Sequence, residues 1–530
     1  MVLLLKVITT LFDLILEHGD VIDGTNRPRC RADVGIQGDR IVAIGDLASA
    51  ETRLSIDASG QVVAPGFIDV HNHSDGWLLK MRHFAAKTLQ GFTTEILMAD
   101  GISYAPVNQF TKPQWLYYLR SLDGLTMQDD RGWQSLGDFM QQLDATTVQN
   151  SATHIPYANV RSMVSGFGRR RLDDFQIRQV QYEIRKGMDE GAVGLSTGLD
   201  YIVECFSTTD ELVAACQAMS DRRGVYVSHV RYKKGLIPAL TEAVEIGRRA
   251  DVPVHISHLK SQPDCDCDEI FAFLDRARQE VELSYDVYPY QPGSTMLNYL
   301  LPNEVWEEGP LAAIAILNQS EMRERFRQGI AAYKLDLDHI RLAWVQGKAN
   351  APHIGKTLAQ FVEESGQPKA DALLNLLIEE SLAVLCVMDE GDDRLVHPML
   401  NHDLAMIGTD GIFYPNSVVH PRVFGSVGRI LGPFVRDLKL FSLETAVHKL
   451  SGFAAERFQL RDRGVLAKGA FADAVVFDPA QMQDRSTFAD PHQTTVGINH
   501  VVVNGVPIVR DGTPIDDFEL KPPGRFVRAG

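Results

Sequence analysis

The chain has 530 residues, of which 45% are hydrophobic and 23% are charged, and its formal net charge at pH 7 is −17. This length exceeds one ordinary hydrophobic core, so we expect one large domain with smaller accessory parts. A chain this acidic is not expected to bind nucleic acid or an anionic membrane, because both would favour a basic protein surface. An anionic small-molecule substrate is still compatible with this charge, since a pocket needs only one or two local cations.

Targeting patterns and cysteine usage indicate the compartment. The apolar run over residues 1–19 is interrupted by Lys6, Asp13 and Glu17, and no small-residue cleavage site follows it, so the pattern does not predict a secretory signal. No segment approaches the ~20 apolar residues of a membrane span. The six cysteines include no C-x-x-C pair and are typical of reduced thiols. We therefore predict a cytoplasmic protein.

Both ends of the chain have the pattern of short alternating strands. Residues 1–62 contain "DLILEHGDVID", "ADVGIQGDRIVAIGD" and "RLSIDASGQVVAPG", with glycines near the turns. Residues 466–530 have the same texture in "FADAVVFDP" and "INHVVVNGVPIVRDG". We predict a small β-sandwich domain formed by both chain termini.

The middle of the chain alternates strands and helices. One apolar strand-like run precedes His71, and seven more follow it, at 93–98, 155–160, 191–196, 224–230, 252–259, 281–289 and 404–410. Helical patterns stand between several of these runs, and no G-x-G-x-x-G opens a first helix. The pattern therefore favours an α/β fold with a (β/α)₈ TIM-like barrel over an open doubly wound sheet. We assign residues 63–295 and 401–465 to the barrel and 296–400 to an insertion near its mouth.

The first barrel strand ends in two histidines. "VVAPGFIDVHNH" is an apolar run opened by Pro65-Gly66, and the alternation of a strand turns His71 and His73 to the same face. Two imidazoles side by side at a strand end suit one small divalent cation. Taken alone, the stretch fits equally well with two hydrogen-bonded histidines at the mouth of a loop.

Four further strand ends carry side chains that can bind a metal. They are Asp100, His229, His258 and Asp410. The chemistry of such a barrel collects at the C-terminal ends of its strands, so these residues and the histidine pair together predict a metal centre. Alternation within 252–259 places His258 on the inner face and predicts that His255 packs outside the barrel against helices.

Six motifs occur in an order that resembles a known family. "PGFIDVHNHSD", "SHVR", "ISHLK", "DVYPYQPGST", "IGTDG" and "HPRVFGSVGRILG" look like the N-acyl-D-amino-acid deacylases (D-aminoacylases) of the amidohydrolase superfamily. The resemblance runs from about Asp13 to Gly512, although 296–400 matches only loosely. It implies a metal-dependent enzyme that hydrolyses the linear amide bond of N-acyl-D-amino acids, or of closely related N-acyl amines, by attack of metal-bound hydroxide.

The resemblance also implies how the ligands divide between two metal sites. His71, His73 and Asp410 resemble the more exposed site, and His229 and His258 resemble the more buried one. Asp410 would in addition be the catalytic residue that takes a proton from water and delivers it to the leaving amine.

Asp100 is a departure from the family's pattern. The resembling enzymes usually have a cysteine in G-N-C-G-I-S, whereas this chain reads "MADGIS" with Asp100 in the cysteine's place. A carboxylate also binds divalent cations, but it is a harder ligand than a thiolate and prefers zinc less strongly. We predict one or two divalent cations, Zn²⁺ or, because of Asp100, Mn²⁺ or a similar ion.

Three side chains are predicted to bind the substrate. Lys260 lies two residues after His258 and could pair with a free α-carboxylate, while Tyr288 and Ser294 resemble the family's carboxylate and backbone contacts. Lys233 stands where the family tends to have an acidic residue. This second departure leaves the acyl group and the amine open.

Two other functions compete with this interpretation. A cyclic amidase of the hydantoinase or dihydroorotase type generally bridges two metals through a carboxylated lysine on the fourth strand, and "GAVGLSTGLDY" contains no lysine. The second alternative is a non-catalytic scaffold that binds no metal. All six ligand positions carry side chains that can bind a metal, which counts against it. The expected partner is a small acylated amino acid or amide, with no nucleic acid and no membrane, and a homo-oligomer is left open.

Overall fold

A computed structural model describes residues 11–261, 265–332, 335–518 and 521–530; the first ten residues of the apolar N-terminal run lie outside this set. The N-terminal strands are β1 Leu14–Val21, β2 Cys30–Gln37, β3 Arg40–Gly45, β4 Ser55–Asp57 and β5 Val62–Pro65. The next strands are β6 Phe67–Asp69, β7 Asn72–His73, β8 Phe92–Leu97, β9 Asn150–Thr153, β10 Ile155–Pro156, β11 Gly194–Gly198, β12 Val225–His229, β13 Val254–Ile256 and β14 Leu283–Val287. They are followed by β15 Ser294–Met296, β16 Ile340–Val345, β17 Val384–Met388, β18 Ala405–Ile407 and β19 Gly411–Ile412. The last strands are β20 Ala474–Phe477, β21 Ile498–Val503, β22 Val506–Arg510 and β23 Thr513–Pro514.

The α-helices lie mainly between the barrel strands and in the insertion. They are α1 Asp75–Lys80, α2 Ala85–Thr88, α3 Lys112–Tyr118, α4 Leu136–Gln141, α5 Tyr157–Ser165, α6 Asp174–Glu190, α7 Thr209–Cys216, α8 Leu236–Ala250, α9 Cys267–Ala277, α10 Ala313–Leu317, α11 Ser320–Ala332, α12 Leu358–Ser365, α13 Lys369–Glu379, α14 His397–Asn401, α15 Arg422–Arg429, α16 Leu443–Leu450 and α17 Gly452–Arg457. No helix in the described parts of the chain is both long and apolar enough to cross a membrane.

The parallel strands form a closed eight-position barrel, as the sequence predicts. One ladder joins β6, β8 and β9, and a second joins β10, β11, β12, β13, β14 and β18. The pairing of β19 with β7 closes the ring, because β6 runs into β7 and β18 runs into β19 within a few residues. Every residue of β8, β11, β12, β13 and β14 is buried. Strands buried on both faces are expected where helices cover the outside and side chains fill the interior.

The third barrel strand is not where the apolar pattern placed it. Of the predicted strand 155–160, only Ile155–Pro156 is extended, and Tyr157 begins α5. The main strand is the polar run Asn150–Thr153. Asn150 binds the Asp473 carboxylate, and the backbone N–H of Ser151 donates to the carbonyl of Arg525. Partners from the distant C-terminal segment thus satisfy polar groups that make this strand look like a loop in the sequence.

His255 points into the barrel, so the prediction that it packs outside was wrong. Its Nε2 lies 3.0 Å from Asp286 Oδ2, and its ring packs against Phe458. The neighbouring Val254 packs outward against α8 at Gly247, where an added Cβ would approach its side chain to 2.1 Å. The inward direction of His258 could not be used to infer that of His255, because the strand ends at Ile256 and His258 lies in the turn after it.

Both chain ends contribute to one curled mixed sheet, in which β1 pairs in parallel with β4 and β5 and the other pairs are antiparallel. Its nine strands run in the order β23-β22-β21-β20-β5-β1-β2-β3, with β4 paired to β1. The sheet bends back on itself, because the N–H of Ile41 in β3 donates to the carbonyl of Ala470, just before β20. An apolar cluster that includes Leu16, Val34 and Val476 fills the space between its two halves.

Ser294–Met296 and two strands within the predicted insertion, 296–400, form a three-stranded antiparallel sheet next to the barrel mouth. The strand order is β15-β17-β16, and α10 to α13 lie between β15 and β17 in the chain. The sheet begins only seven residues after β14 ends. It therefore carries Ser294, Thr295 and Met388 to the end of the barrel where the predicted ligands lie.

Candidate metal centre

All six predicted ligands meet at the C-terminal ends of barrel strands. They are His71 and His73 at β7, Asp100 after β8, His229 at the end of β12, His258 after β13, and Asp410 between β18 and β19. Three of them have left-handed backbone conformations, with φ of 56° at Asp100, 38° at His258 and 48° at Asp410. Such a conformation is uncommon for residues other than glycine, and it clusters at functional sites.

Asp100 lies between two pairs of histidines. Its Oδ1 is 3.6 Å from His71 Nε2 and 3.7 Å from His258 Nε2. Its Oδ2 is 3.8 Å from His73 Nε2 and 3.9 Å from His229 Nδ1. The ligand atoms of His71, His73 and Asp100 lie within 4.8 Å of one another, and so do those of Asp100, His229 and His258. One carboxylate is thus shared by two groups of possible metal ligands.

The donors of this centre fit a divalent cation. His71 Nε2 and Asp100 Oδ1 are buried, and neither has a hydrogen-bond partner within the described part of the protein. Buried polar atoms without partners are rare in proteins and call for an explanation such as an ion. Imidazole nitrogen and carboxylate oxygen are ligands of zinc, and the carboxylate also suits manganese.

Each of the four histidines has a polar side chain within 4 Å of its outer ring nitrogen. His71 Nδ1 lies 3.3 Å from Asp286, His73 Nδ1 lies 3.4 Å from Asp123, His229 Nε2 lies 3.7 Å from Asp200, and His258 Nδ1 lies 3.3 Å from the hydroxyl of Tyr232. The contacts of His71 and His258 are hydrogen bonds, which orient a metal-binding imidazole and select its tautomer, whereas His229 Nε2 has no hydrogen-bond partner among the described residues. Sequence reasoning missed all four partners: Asp200 and Tyr232 follow β11 and β12, and Asp286 lies near the end of β14, but Asp123 is far from any strand and gives no such signal.

Carboxylates also set the charge state of this cluster. Burial lowers the pKa of His73, but the neighbouring Asp123 and Asp410 carboxylates outweigh it and raise the pKa to about 9. Burial likewise raises the pKa of Asp100, yet the histidines around it, His71 first, hold that pKa well below its usual range. The negative field that holds a proton on His73 equally favours a divalent cation among the ligands.

The four histidines differ slightly in side-chain exposure. The side chains of His71 and His73 are 0% and 5% exposed, whereas those of His229 and His258 are 10% and 12% exposed. His71 lies behind the others against Asp286, while His229 and His258 line the cavity at the barrel mouth. Asp410, which the resemblance groups with His71 and His73, is 10% exposed, so the assignment of a more exposed and a more buried metal site stays a prediction.

Asp410 is paired with an arginine that the sequence analysis did not single out. Arg422 Nη1 lies 2.8 Å from Asp410 Oδ2, and Asp410 Oδ1 lies 3.3 Å from His73 Nε2. Burial raises the pKa of Asp410, but the Arg422 guanidinium and then His73 hold it well below its usual range. Asp410 is therefore ionised and can bind a cation or accept a proton.

A cavity of about 270 Å³ opens beside the cluster. Lys260, Tyr288 and Ser294 line it together with His73, Asp100, His229, His258 and Asp410. Lys260 Nζ donates to the Tyr288 hydroxyl at 2.6 Å and to the carbonyl of Gln291 at 2.8 Å. The Ser294 hydroxyl donates to the carbonyl of Cys386, so its own contact is with the insertion. The structure thus brings all three predicted substrate residues to the metal cluster.

Comparisons with known proteins agree with this geometry. The sequence pattern of a protein family described as the amidohydrolase family matches residues 359–509 of this chain. D-aminoacylase from Alcaligenes xylosoxydans xylosoxydans is 36% identical over 94% of both chains. The chain belongs to the N-acyl-D-amino-acid deacylase family.

A second relative and one solved structure are also similar to this chain. N-acyl-D-glutamate deacylase from Alcaligenes xylosoxydans xylosoxydans is 33% identical over 97% of this chain and 96% of its own length. A crystal structure of N-acyl-D-glutamate deacylase from Bordetella bronchiseptica, complexed with zinc and a phosphonate mimic of the tetrahedral intermediate, has a TM-score of 0.82 at 30% identity. It matches over 98% of this chain and 100% of that chain.

The cyclic-amidase alternative finds less support. A D-hydantoinase structure has a TM-score of 0.53 at 14% identity, which is a likeness of fold alone. The fourth barrel strand, β11, reads "GLSTG", and its Ser196 hydroxyl donates to the carbonyl of Met98 beside Asp100. This strand thus contains no lysine that could bridge two metals, and its Ser196 supports the loop that carries Asp100.

Proposed function

We propose that this protein is a metal-dependent amidohydrolase that hydrolyses the linear amide bond of N-acyl-D-amino acids. The observation that carries the proposal is the position of Asp100 between two histidine pairs, beside a cavity that also contains Asp410 and Lys260. Relatives named D-aminoacylase, N-acyl-D-glutamate deacylase and N-acyl-D-aspartate deacylase support the same reaction type.

In this proposal the centre holds one or two divalent cations. His71 and His73 would hold one cation and His229 and His258 the other, and Asp100, which lies between the two pairs, and Asp410 would complete the set. Zinc is the proposed ion, because the Bordetella bronchiseptica relative is complexed with zinc; manganese is the alternative that a carboxylate at position 100 allows. A cation bound there polarises the amide carbonyl and lowers the pKa of a coordinated water towards ~7.

The side chains of the protein perform the remaining steps. Asp410 accepts a proton from the attacking water through a carboxylate oxygen and delivers it to the leaving amine nitrogen. The Arg422 ion pair keeps this carboxylate ionised and orients it. Lys260 pairs with the substrate α-carboxylate, and the Tyr288 hydroxyl helps to position that group. In this proposal the scissile carbonyl lies in the cavity beside Asp100.

A hydrolysis screen tests the proposal. N-acetyl and N-formyl derivatives of D- and L-amino acids, with zinc or manganese added, are expected to release free amino acid from the D series. Hydantoins and dihydroorotate serve as the matched cyclic substrates. Turnover of the cyclic compounds alone would contradict the proposal and favour the cyclic-amidase alternative, and a protein that neither binds metal nor hydrolyses any compound would favour the scaffold.

Replacing Lys260 by methionine tests the carboxylate contact. Loss of one charge-assisted hydrogen bond is expected to raise KM for N-acyl-D-amino acids about 10- to 100-fold and to leave KM for N-acyl amines without a carboxylate nearly unchanged. Lys356→Met, on the insertion and outside the cavity lining, is the control. Equal losses on both kinds of substrate would show damage to the metal centre and remove Lys260 as the anchor.

We also propose that the protein acts in the cytoplasm on small molecules. The cysteine pattern favours a reducing compartment, and the acidic charge disfavours nucleic acid and anionic membranes. Whether the protein forms a homo-oligomer is decided by light scattering of the purified protein.

A further inference from the structure

Helix α6 follows β10 on the outside of the barrel and presents one long face to solvent. Its buried side chains include Val180, Ile184 and Met188. The opposite side carries Phe175 and Tyr182, whose exposed fractions are 61% and 63%. They are seven residues apart and therefore lie on the same side of the helix, two turns from each other. One exposed ring is ordinary on a protein surface, whereas two on a single helix face indicate a surface for another protein.

Basic side chains surround the two rings. Arg178 lies four residues before Tyr182, and Arg185 and Lys186 lie three and four residues after it, so all three are on the same face. Arg178 and Arg185 are exposed, and neither forms a hydrogen bond or an ion pair with another described residue. The whole chain has a net charge of −17, so this helix face is locally basic on an acidic protein. Free cations beside aromatic rings suit a surface that offers carboxylates and rings in return.

Two aspartates close this face at its ends. Asp174, the first residue of α6, lies four residues before Arg178, and Asp189 lies four residues after Arg185. Both aspartates are exposed. Asp189 is paired with Arg222 at 2.5 Å, but 61% of its side chain remains exposed, so it is open to a second cation. The face therefore has an acid at each end, with cations and rings between them.

This order of side chains is complementary to itself when two copies of α6 run antiparallel. With a two-fold axis at the level of Val180, the first turn of one helix lies opposite the last turn of the other. Arg185 then faces Asp174 of the partner subunit, and Arg178 faces the ring of Tyr182 of the partner subunit. Because the two-fold axis repeats each contact, both kinds of pair form twice.

From this complementarity we propose that the exposed face of α6 is a dimer interface and that its occupant is α6 of a second copy of this chain. A helix of 17 residues is about 25 Å long, so the contact buries less than the ~800 Å² per partner of a standard interface. A weak dimer is therefore expected, with a Kd of about 10 µM. The inference concerns assembly and does not depend on the proposed reaction.

Sedimentation velocity of the metal-loaded protein tests the dimer. Between about 1 and 200 µM protein, the average mass is expected to rise from that of one 58.9 kDa chain towards twice that value, because mass action favours the dimer. Protein that stays monomeric at the highest concentration would overturn the inference. A trimer or an open-ended series of larger species would overturn it as well, because a two-fold contact closes after two copies.

Tyr182→Ala and Phe110→Ala form a matched pair of variants. Both remove an exposed ring, but Phe110, which is 73% exposed, precedes α3 and lies outside the proposed interface. Tyr182→Ala is expected to weaken the dimer at least ~10-fold, since the ring is lost from both copies, and Phe110→Ala is expected to leave the Kd unchanged. Equal effects of the two variants would contradict the assignment of the interface to α6.

A charge exchange tests the antiparallel arrangement. Asp174 and Arg185 are eleven residues apart and so cannot contact each other within one helix. Asp174→Arg is expected to raise the Kd at least ~10-fold because it brings two cations together, and the double variant Asp174→Arg/Arg185→Asp is expected to recover most of the loss. Circular dichroism checks that the helical content is unchanged in each variant. A Kd that the single change leaves unaltered, or that the exchange does not restore, would overturn the proposed dimer.

Discussion

Asp410→Asn is expected to lower turnover ~10²-fold or more while the fold and much of the metal are retained. The amide is nearly isosteric with the carboxylate and tolerates the left-handed backbone of Asp410, whose φ is 48°. It can neither accept the proton from water nor deliver one to the leaving amine. The measurements are kcat at saturating substrate, metal content after gentle purification, and the circular dichroism spectrum.

The control for Asp410 must separate proton transfer from loss of the Arg422 ion pair. Arg422→Gln removes the buried partner but leaves the carboxylate, so it is expected to retain more turnover than Asp410→Asn at saturating substrate. Asp403→Asn, at an exposed aspartate bound by Arg278, reports the effect of an unrelated substitution. Near-normal kcat in Asp410→Asn would remove Asp410 from the mechanism.

The second large effect is expected at Asp100, where one carboxylate is shared by both histidine pairs. Asp100→Ala should lose metal and activity together, with added cation restoring only part of each. Asp100→Cys should retain zinc and appreciable activity, because thiolate and carboxylate each carry one negative charge when they bind. A shift in preference from manganese towards zinc is expected in this variant.

Asp100→Asn is the sharpest of these substitutions. The φ of 56° at this position is tolerated by asparagine, whereas alanine and cysteine add backbone strain of about 1–2 kcal/mol. Loss of metal in the asparagine variant therefore reports the charge and not the turn. If Asp100 served only to shape the turn before Gly101, asparagine would be nearly silent. A fully metallated and fully active Asp100→Asn protein would contradict the hypothesis that Asp100 is a metal ligand.

The barrel strands with apolar sequences were predictable, and the polar one was not. Runs such as those of β8, β12 and β14 are apolar enough to be found because both of their faces are buried. The run Asn150–Thr153 lacks this signal, since its polar groups are satisfied by Asp473 and Arg525 more than 320 residues later in the chain. A local pattern cannot show partners at such a distance.

The candidate ligands were predictable because each follows a strand, and parallel strands bring their C-terminal ends to one rim. The direction in which side chains point near and beyond a strand end was not predictable. At β13 the alternation assigned His255 outward, but the strand stops at Ile256 and His258 takes φ of 38°. Once the backbone leaves the extended conformation, the two-residue period no longer describes where a side chain points.

Local patterns in the sequence predicted an eight-stranded barrel and the six candidate ligands, and the resemblance to the family showed that Asp100 stands where a cysteine is usual. The folded chain was needed to show that Asp100 lies between both histidine pairs, and that Asp123, Asp200 and Asp286 stand behind three of the histidines. It also decided that Arg422 faces Asp410. These contacts join residues from separate strands and loops, and their energies depend on distance and burial, which no local pattern of residues contains.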